Sequence, residues 1–255
     1  MRKAVLIVRP EPKASELKKL LAQQHIPAYP LPLIQISRHP QINLLTTALN
    51  RLHSQDWIIA VSPNAVQYAH LQIQTENISW PQVHYAAIGN ATAKQMHQYI
   101  QDKIWVPHSP QNSESLLSLP IIQQLDRGSC LILRGDTGRD LIKDQLTQQG
   151  LQVSYCATYK KTRTTRDINS FLCTKYQNID SIIVTSGQQL EYLGEMVKKQ
   201  LYSWLISRNL FLPSDRLKEK AKCMGFQSVY SIGSAENVDF LAALVEQISK
   251  HSGIK

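Results

Sequence analysis

The stretch Leu131-Ile132-Leu133-Arg134-Gly135-Asp136-Thr137-Gly138-Arg139 decides how the chain folds. Its apolar start, extended back to Cys130, is a short run of the kind that fills a buried strand. Two glycines three apart break the run, and from Arg139 to Gln149 apolar residues return three and four apart, the spacing of a helix. Strand, glycine turn and helix in that order make one βα unit. The same unit opens the chain. At a shift of 125 residues, Leu6-Ile7-Val8-Arg9 lies over Leu131-Ile132-Leu133-Arg134, Leu21 over Leu146, and Gln23-Gln24 over Gln148-Gln149. At a shift of 124, Ile58-Ile59-Ala60-Val61-Ser62 lies over Ile182-Ile183-Val184-Thr185-Ser186, with Tyr68 over Tyr192, Trp80 over Trp204 and Leu117 over Leu241. Leu and Ile match by chance between any two strands. Arg, Ser, Tyr and Trp in one nearly constant register do not. The chain reads as a tandem duplication of an α/β unit of ~125 residues, an ordinary domain size.

Outward from these anchors the same alternation continues. Strands are predicted at Ala4–Val8, Trp57–Val61, Val83–Ile88, Ile104–Val106, Cys130–Leu133, Val153–Cys156, Ser181–Val184, Asn209–Leu212 and Val229–Ile232. Helices are predicted after Pro12 and over Ser113–Leu125, Arg139–Gln149, Gln188–Lys199 and Asn237–Lys250. Strand and helix alternating along a whole chain indicate right-handed βαβ crossovers on parallel sheets, so the fold class is α/β.

Composition narrows the function. The 255 residues are 43% apolar, enough for a core without staples. The longest apolar runs are about five residues, far short of the ~20 of a membrane span, and Arg9 with two prolines ends the first run too early for a signal peptide. The expectation is a soluble, non-secreted protein. Four cysteines (Cys130, Cys156, Cys173, Cys223) lie far apart and are expected reduced and packed. The eight histidines make no ligand pair or cluster, so no metal site is expected. Lys and Arg number 28 against 19 Asp and Glu, a formal charge of +9 that suggests an anionic partner. Nucleic acid, an anionic membrane surface and polycarboxylate or phosphate metabolites all fit that number. Aromatics are only 7%, and the basic residues are dispersed rather than striped as nucleic-acid binding would require.

Open α/β sheets bind ligands at the carboxyl ends of their strands, and there the polar residues gather. Arg9 follows the first strand, Ser62-Pro63-Asn64 follow Val61, and Gly89-Asn90-Ala91-Thr92 follow Ile88. The second copy supplies Arg134 to Arg139, Thr185-Ser186-Gly187, and Ser214 after Pro213. Free N–H groups at helix starts bind anions, while Ser62, Thr92, Ser186 and Ser214 equally suit plain N-caps. Arg134 and Arg139 can grip a carboxylate bidentately, and Arg139 equally suits a solvated first-turn charge. No Gly-x-x-x-x-Gly-Lys loop, no Gly-x-Gly-x-x-Gly after a strand and no Gly-x-Ser-x-Gly elbow is present. No nucleotide cofactor or Ser-His-Asp triad is therefore expected. Tyr159-Lys160-Lys161-Thr162-Arg163 reads as a basic linker whose tyrosine can donate a proton.

With Ile7-Val8-Arg9-Pro10, Val61 to Val66, Ala87 to Ala93, Leu131 to Leu141, Gly150, Tyr159 and Val184-Thr185-Ser186-Gly187 in this order, the chain resembles the bacterial uroporphyrinogen-III synthases over nearly its whole length. The resemblance implies two flavodoxin-like parallel-sheet lobes joined by a two-stranded linker, with a ligand cleft between the lobes. Lobe one would comprise 1–35 plus 164–255, lobe two 40–158, and the linkers 34–39 and 159–163, so the lobes exchange pieces of the two sequence copies. It implies cyclisation of hydroxymethylbilane, a linear polycarboxylate tetrapyrrole, with inversion of the last ring, loss of water and no cofactor. Tyr159 would be the general acid. Substrate contacts would come from Arg9, Ser62, Asn64, Ala65, Gly89, Asn90, Ala91, Thr92, Arg134, Gly135, Gly138, Arg139, Ser186, Gly187 and Ser214. A cytoplasmic monomer in transient contact with the upstream deaminase is expected, with no nucleic acid, membrane or metal partner. The sequence departs from the family at Pro213-Ser214-Asp215-Arg216, where Pro213 lacks a backbone donor and Asp215 would repel a carboxylate. A bilobal anion-binding or sensor module without catalysis is the alternative on the same fold.

Overall fold

A computed structural model of the chain describes residues 3–165, 167–175 and 178–252. The first copy's elements are β1 (Ala4–Ile7), α1 (Lys13–Gln23), β2 (Ala28–Pro30), β3 (Ile34–Arg38), α2 (Leu44–Leu49), β4 (Trp57–Ala60) and α3 (Pro63–Thr75). Then come β5 (His84–Ala87), α4 (Asn90–Met96), β6 (Ile104–Trp105), α5 (Ser113–Leu117) and α6 (Pro120–Gln123). The second copy brings β7 (Ser129–Gly135), α7 (Leu141–Gln148), β8 (Gln152–Arg163), α8 (Ile168–Lys175), β9 (Ile179–Ile183) and α9 (Gly187–Met196). It ends with α10 (Lys199–Ile206), β10 (Asn209–Leu212), α11 (Asp215–Cys223), β11 (Ser228–Ser231) and α12 (Asn237–Ser252).

The chain divides into two compact units. Unit one holds Met1–Ile36 and Thr162–Lys255, and unit two holds Ser37–Lys161. Unit one has a five-stranded parallel sheet in the order β2-β1-β9-β10-β11. Counted along the unit this is 2-1-3-4-5, the flavodoxin-like order, whose switch point lies between its first and third strands, here β1 and β9. Unit two has the order β3-β8-β7-β4-β5-β6. Counted from β7, its parallel strands β8-β7-β4-β5-β6 repeat the 2-1-3-4-5 order, with the switch point between β7 and β4. β3 lies outside β8 and runs antiparallel to it: His39 N–H donates to the Thr158 carbonyl at 3.1 Å and Thr164 N–H to the Leu33 carbonyl at 3.0 Å.

The repeated strands thus occupy equivalent places, but the copies do not fold as contiguous blocks. β1 of the first copy pairs with β9 of the second, and β7 of the second pairs with β4 of the first. Leu6-Ile7-Val8 and Leu131-Ile132-Leu133 are equally apolar and all at most 1% exposed, so as buried strands they are interchangeable, and hydrophobic pattern alone does not choose their neighbour.

Three local differences from the sequence reading have simple causes. The helix expected over Ser113–Leu125 is broken into α5 and α6, because Pro120 has no N–H to continue α5 and instead takes the first position of α6. The short strand β2 sits among Pro27, Pro30 and Pro32, which hid it from any two-residue alternation. β8 runs unbroken for 12 residues, well beyond Val153–Cys156. Helix α7 stops where Gly150 takes φ +100, a conformation that favours glycine; Leu151 N–H closes the helix end on the Leu146 carbonyl at 3.1 Å.

Cys130 and Cys156 are buried and unbridged, Cys223 is exposed and unbridged, and the Cys173 side chain lies outside the described residues. Among the described residues no helix is long and apolar enough to cross a membrane, and no group of three or more His, Cys, Asp or Glu could hold a metal ion.

Candidate active site

Beside the switch point of unit two, the pairing of β7 with β8 becomes irregular at the end of β7. Arg134 faces Ala157 but Gly135 faces Tyr159, so β8 carries one extra residue, Thr158. Such a bulge re-aims the side chains beside it. Thr158 is fully buried, and its hydroxyl lies 3.0 Å from the Ala65 carbonyl and 3.3 Å from that of Arg134. These contacts tie β8 to the first turn of α3 and to β7. Tyr159 then turns its ring over Gly135. A Cβ on Gly135 would stand 2.8 Å from Tyr159 Cζ and 3.1 Å from its oxygen, so the ring occupies the space the glycine leaves. Tyr68 stacks on Tyr159 with ring centroids 6.2 Å apart and planes 24° apart. Burial pushes the Tyr68 phenol above its ordinary value.

Ser62 is hydrogen-bonded to this phenol. It is the N-cap of α3, and its Oγ accepts the Ala65 N–H at 3.1 Å. The same Oγ donates to the Tyr159 oxygen at 3.1 Å. Tyr159 is 6% exposed, and among the described residues its own phenol proton has no acceptor.

The helix starts differ in what they leave free among the described residues. In α3, Pro63 has no N–H and the Ala65 N–H is capped, so the half-buried Asn64 keeps the free donor. In α4 the N-cap is Gly89, not Thr92. Thr92 is buried at the third helical position, its N–H on the Gly89 carbonyl at 3.1 Å, which corrects its expected capping role. The Asn90 N–H is taken by Gln111 Oε1 at 2.9 Å, a neutral amide oxygen seated where a ligand oxygen would sit, while Ala91 is exposed with its N–H free. In unit one, Ser186 caps α9 by accepting the Gln189 N–H at 3.3 Å and leaves the Gly187 and Gln188 donors free. Ser214 is the N-cap of α11 without a side-chain bond, and Asp215 stands at the first position.

Each of the three candidate arginines has a partner within the protein. Arg9 is buried, its Nη1 donating to Asn237 Oδ1 at 2.5 Å. Desolvation lowers its guanidinium below the ordinary value, with Glu236 and Glu16 opposing. Arg134 is also buried and pairs with Asp140 at 2.9 Å, over the Tyr155 ring at 4.4 Å. Tyr155 donates to the same carboxylate at 3.0 Å. Gly138, at φ +155, leaves room for this guanidinium, since a Cβ there would stand 2.8 Å from Arg134 Nη2. A buried cation needs partners, and Asn237 supplies one to Arg9 and the exposed Asp140 one to Arg134. Arg139 is exposed and pairs with Glu114, whose carboxyl it holds below the usual range, first through their hydrogen bond. Sequence reading missed Asp140, Gln111, Tyr68 and Asn237. Tyr68 alone left a signal, its repeat match with Tyr192.

The fold and site define a two-unit α/β protein that presents helix-start donors and one held phenol at the carboxyl edges of parallel sheets. The family model described as Uroporphyrinogen-III synthase HemD matches residues 15–236, and the chain belongs to that family. It is 32% identical to the uroporphyrinogen-III synthase of Escherichia coli (strain K12) over 244 residues, covering 94% of this chain and 99% of that protein. It is likewise 32% identical to the one from Salmonella typhimurium, with the same coverage. A crystal structure of a mutant uroporphyrinogen III synthase from the extremely thermophilic bacterium Thermus thermophilus shares the fold with TM-score 0.65 at 15% identity, covering 97% of this chain and 99% of that one. The family's enzymes are lyases of tetrapyrrole biosynthesis.

Proposed function

We propose that the chain cyclises hydroxymethylbilane to uroporphyrinogen III, with Tyr159 as the proton donor. The electron-rich terminal pyrrole of the substrate expels its own hydroxyl, leaving an azafulvene cation. The phenol proton goes to the departing oxygen, which leaves as water. The last ring attacks the cation's methylene through its substituted α-carbon to give a spiro intermediate. The bond from that carbon to its bridging methylene breaks and re-forms at the ring's other α-carbon, which inverts the ring, and the proton lost there as the pyrrole regains aromaticity returns to the phenolate. The net change is loss of one water. A positioned general acid contributes roughly 10²–10⁴-fold. The rest of the task is holding a flexible polycarboxylate folded, which is a matter of placed donors.

Each unit brings its own donors. Unit two offers the Asn64 and Ala91 N–H groups and the exposed Arg139, and unit one offers the Gly187 and Gln188 N–H groups beside Ser186. Asp215 sits beside Ser214 and would keep a carboxylate off the α11 start. The +9 charge suits such a substrate. Segments 34–39 and 159–163 would serve as linkers between the lobes. A cytoplasmic monomer that receives its short-lived substrate through transient contact with the upstream deaminase fits the same picture.

The observation that carries this reading is the Tyr159 phenol, fixed beside a switch point with its own proton uncommitted among the described residues. The test is incubation with freshly made hydroxymethylbilane, followed by separation of the oxidised type I and type III isomers. Type III formed faster than the spontaneous reaction supports it. Type I alone, at the uncatalysed rate, overturns it.

A further inference from the structure

We propose that Ser62 is a positioning residue for Tyr159 rather than a direct contact to a substrate carboxylate. This rests on Tyr159 acting as the donor proposed above. A serine hydroxyl has one proton and two lone pairs. In Ser62 one lone pair takes the Ala65 N–H at 3.1 Å, and the single proton is given to the Tyr159 oxygen at 3.1 Å. The cap bond fixes the direction of the Ser62 Oγ because it is anchored to the backbone of α3, a helix of 13 residues. The bond onward fills one acceptor site of the phenol oxygen. With the serine donating, the phenol's own proton is left for another acceptor.

Three contacts place the ring. Gly135 lies against Cζ, Cε2 and the oxygen, Tyr68 stacks on the ring, and Asp136 N–H holds the Tyr159 carbonyl at 3.0 Å. Packing therefore places the ring, and Ser62 sets which way the O–H bond faces. The first turn of α3 is in turn fixed to β8 by Thr158, whose hydroxyl reaches the Ala65 carbonyl at 3.0 Å. Cap, strand bulge and phenol form one rigid constellation. Ser62 has no second proton with which to bind a carboxylate while it holds this bond.

The test uses Ser62→Gly, Ser62→Thr, Tyr159→Phe and the double variant Ser62→Gly/Tyr159→Phe in the full-length chain. Glycine caps helices almost as well as serine, so Ser62→Gly removes the hydroxyl while α3 keeps its start. With hydroxymethylbilane, Ser62→Gly is expected to lower kcat roughly tenfold with KM within about twofold, and Ser62→Thr to restore most of the rate. The double variant is expected to be no slower than Tyr159→Phe, because the serine acts only through the phenol. A raised KM at unchanged kcat in Ser62→Gly overturns the proposal and returns Ser62 to direct substrate binding. Losses that multiply in the double variant overturn it as well. If Tyr159→Phe itself keeps the full rate, the general-acid reading fails, a different outcome from a slow Tyr159→Phe beside an unaffected Ser62→Gly, which removes only the positioning role.

Discussion

Gly135→Ala is the smallest change that reaches the phenol without touching it. Gly135 does not have a positive φ, so the added methyl acts by volume and not through backbone strain. The new Cβ would stand 2.8 Å from Tyr159 Cζ, whereas ordinary van der Waals contact begins at 3.4 Å. The ring must therefore retreat by at least about 0.6 Å. Such a shift strains the 3.1 Å bond from Ser62, carrying it toward the limit of a hydrogen bond. Misplacement of a reacting group by ~1 Å costs on the order of 10²-fold in rate, so a shift a little over half that size should cost roughly tenfold. Overpacking should also lower stability by about 1–3 kcal/mol. The assay is initial-rate consumption of hydroxymethylbilane with the isomer ratio read at the end, beside urea denaturation of the same samples. Slowed turnover with a larger share of type I is expected. Wild-type rate and isomer ratio in a folded Gly135→Ala would refute the claim that the place of the Tyr159 ring limits the reaction.

Other consequences are spread over the fold. Asp56 is buried and accepts the His53 N–H at 2.8 Å and the Ser129 N–H at 2.7 Å; Asp56→Ala leaves both donors unsatisfied and should cost roughly 3 kcal/mol in urea denaturation. The Asp140 carboxyl is held below its ordinary 3.8 first by the Arg134 hydrogen bond and then by that of Tyr155. A depressed carboxylate gives its stabilisation above its ordinary pKa and loses it as pH falls through the lower folded value, so Asp140→Asn should flatten the acid limb of stability below pH ~4. Burial first, and then Asp140, push Tyr155 up to about 12. The folded state therefore keeps that proton, and stability should fall between pH 10 and about 12, as alkaline denaturation followed by tyrosinate absorbance will show. In a Cys173→Ser background a chromogenic disulfide reagent should modify the exposed Cys223 quickly. Cys130 and Cys156 should react only on unfolding, since burial raises both thiols, Cys156 to about 11.

Much of this was legible in the sequence because strands and helix starts are local. Leu131-Ile132-Leu133 announced a buried strand, and Ser62 and Ser186 stood where caps were expected. The pairing of β1 with β9 and of β7 with β4 was not legible from pattern, since the two copies carry equivalent strands; only the family resemblance pointed to exchanged pieces. The partners of Arg9 and Arg134 were hidden for a related reason. Whether a cation at a strand end faces a ligand or the fold depends on a partner, and Asn237 is distant along the chain from Arg9. Asp140 is only six residues from Arg134, yet nothing in its sequence context marks it as the partner. Gln111 over the start of α4 was invisible likewise, because a glutamine in a loop has no periodicity to betray it. The space at Gly135 was also hidden, as it is defined by Tyr159, which reaches it only through the bulge at Thr158.

The most direct measurement is single-turnover kinetics of the unaltered chain and of Tyr159→Phe with hydroxymethylbilane. A proton donor held as Tyr159 is predicts a cyclisation step slowed by roughly 10²-fold or more in Tyr159→Phe, with type III still the main enzymatic product. Cyclisation at the same rate in both would contradict it.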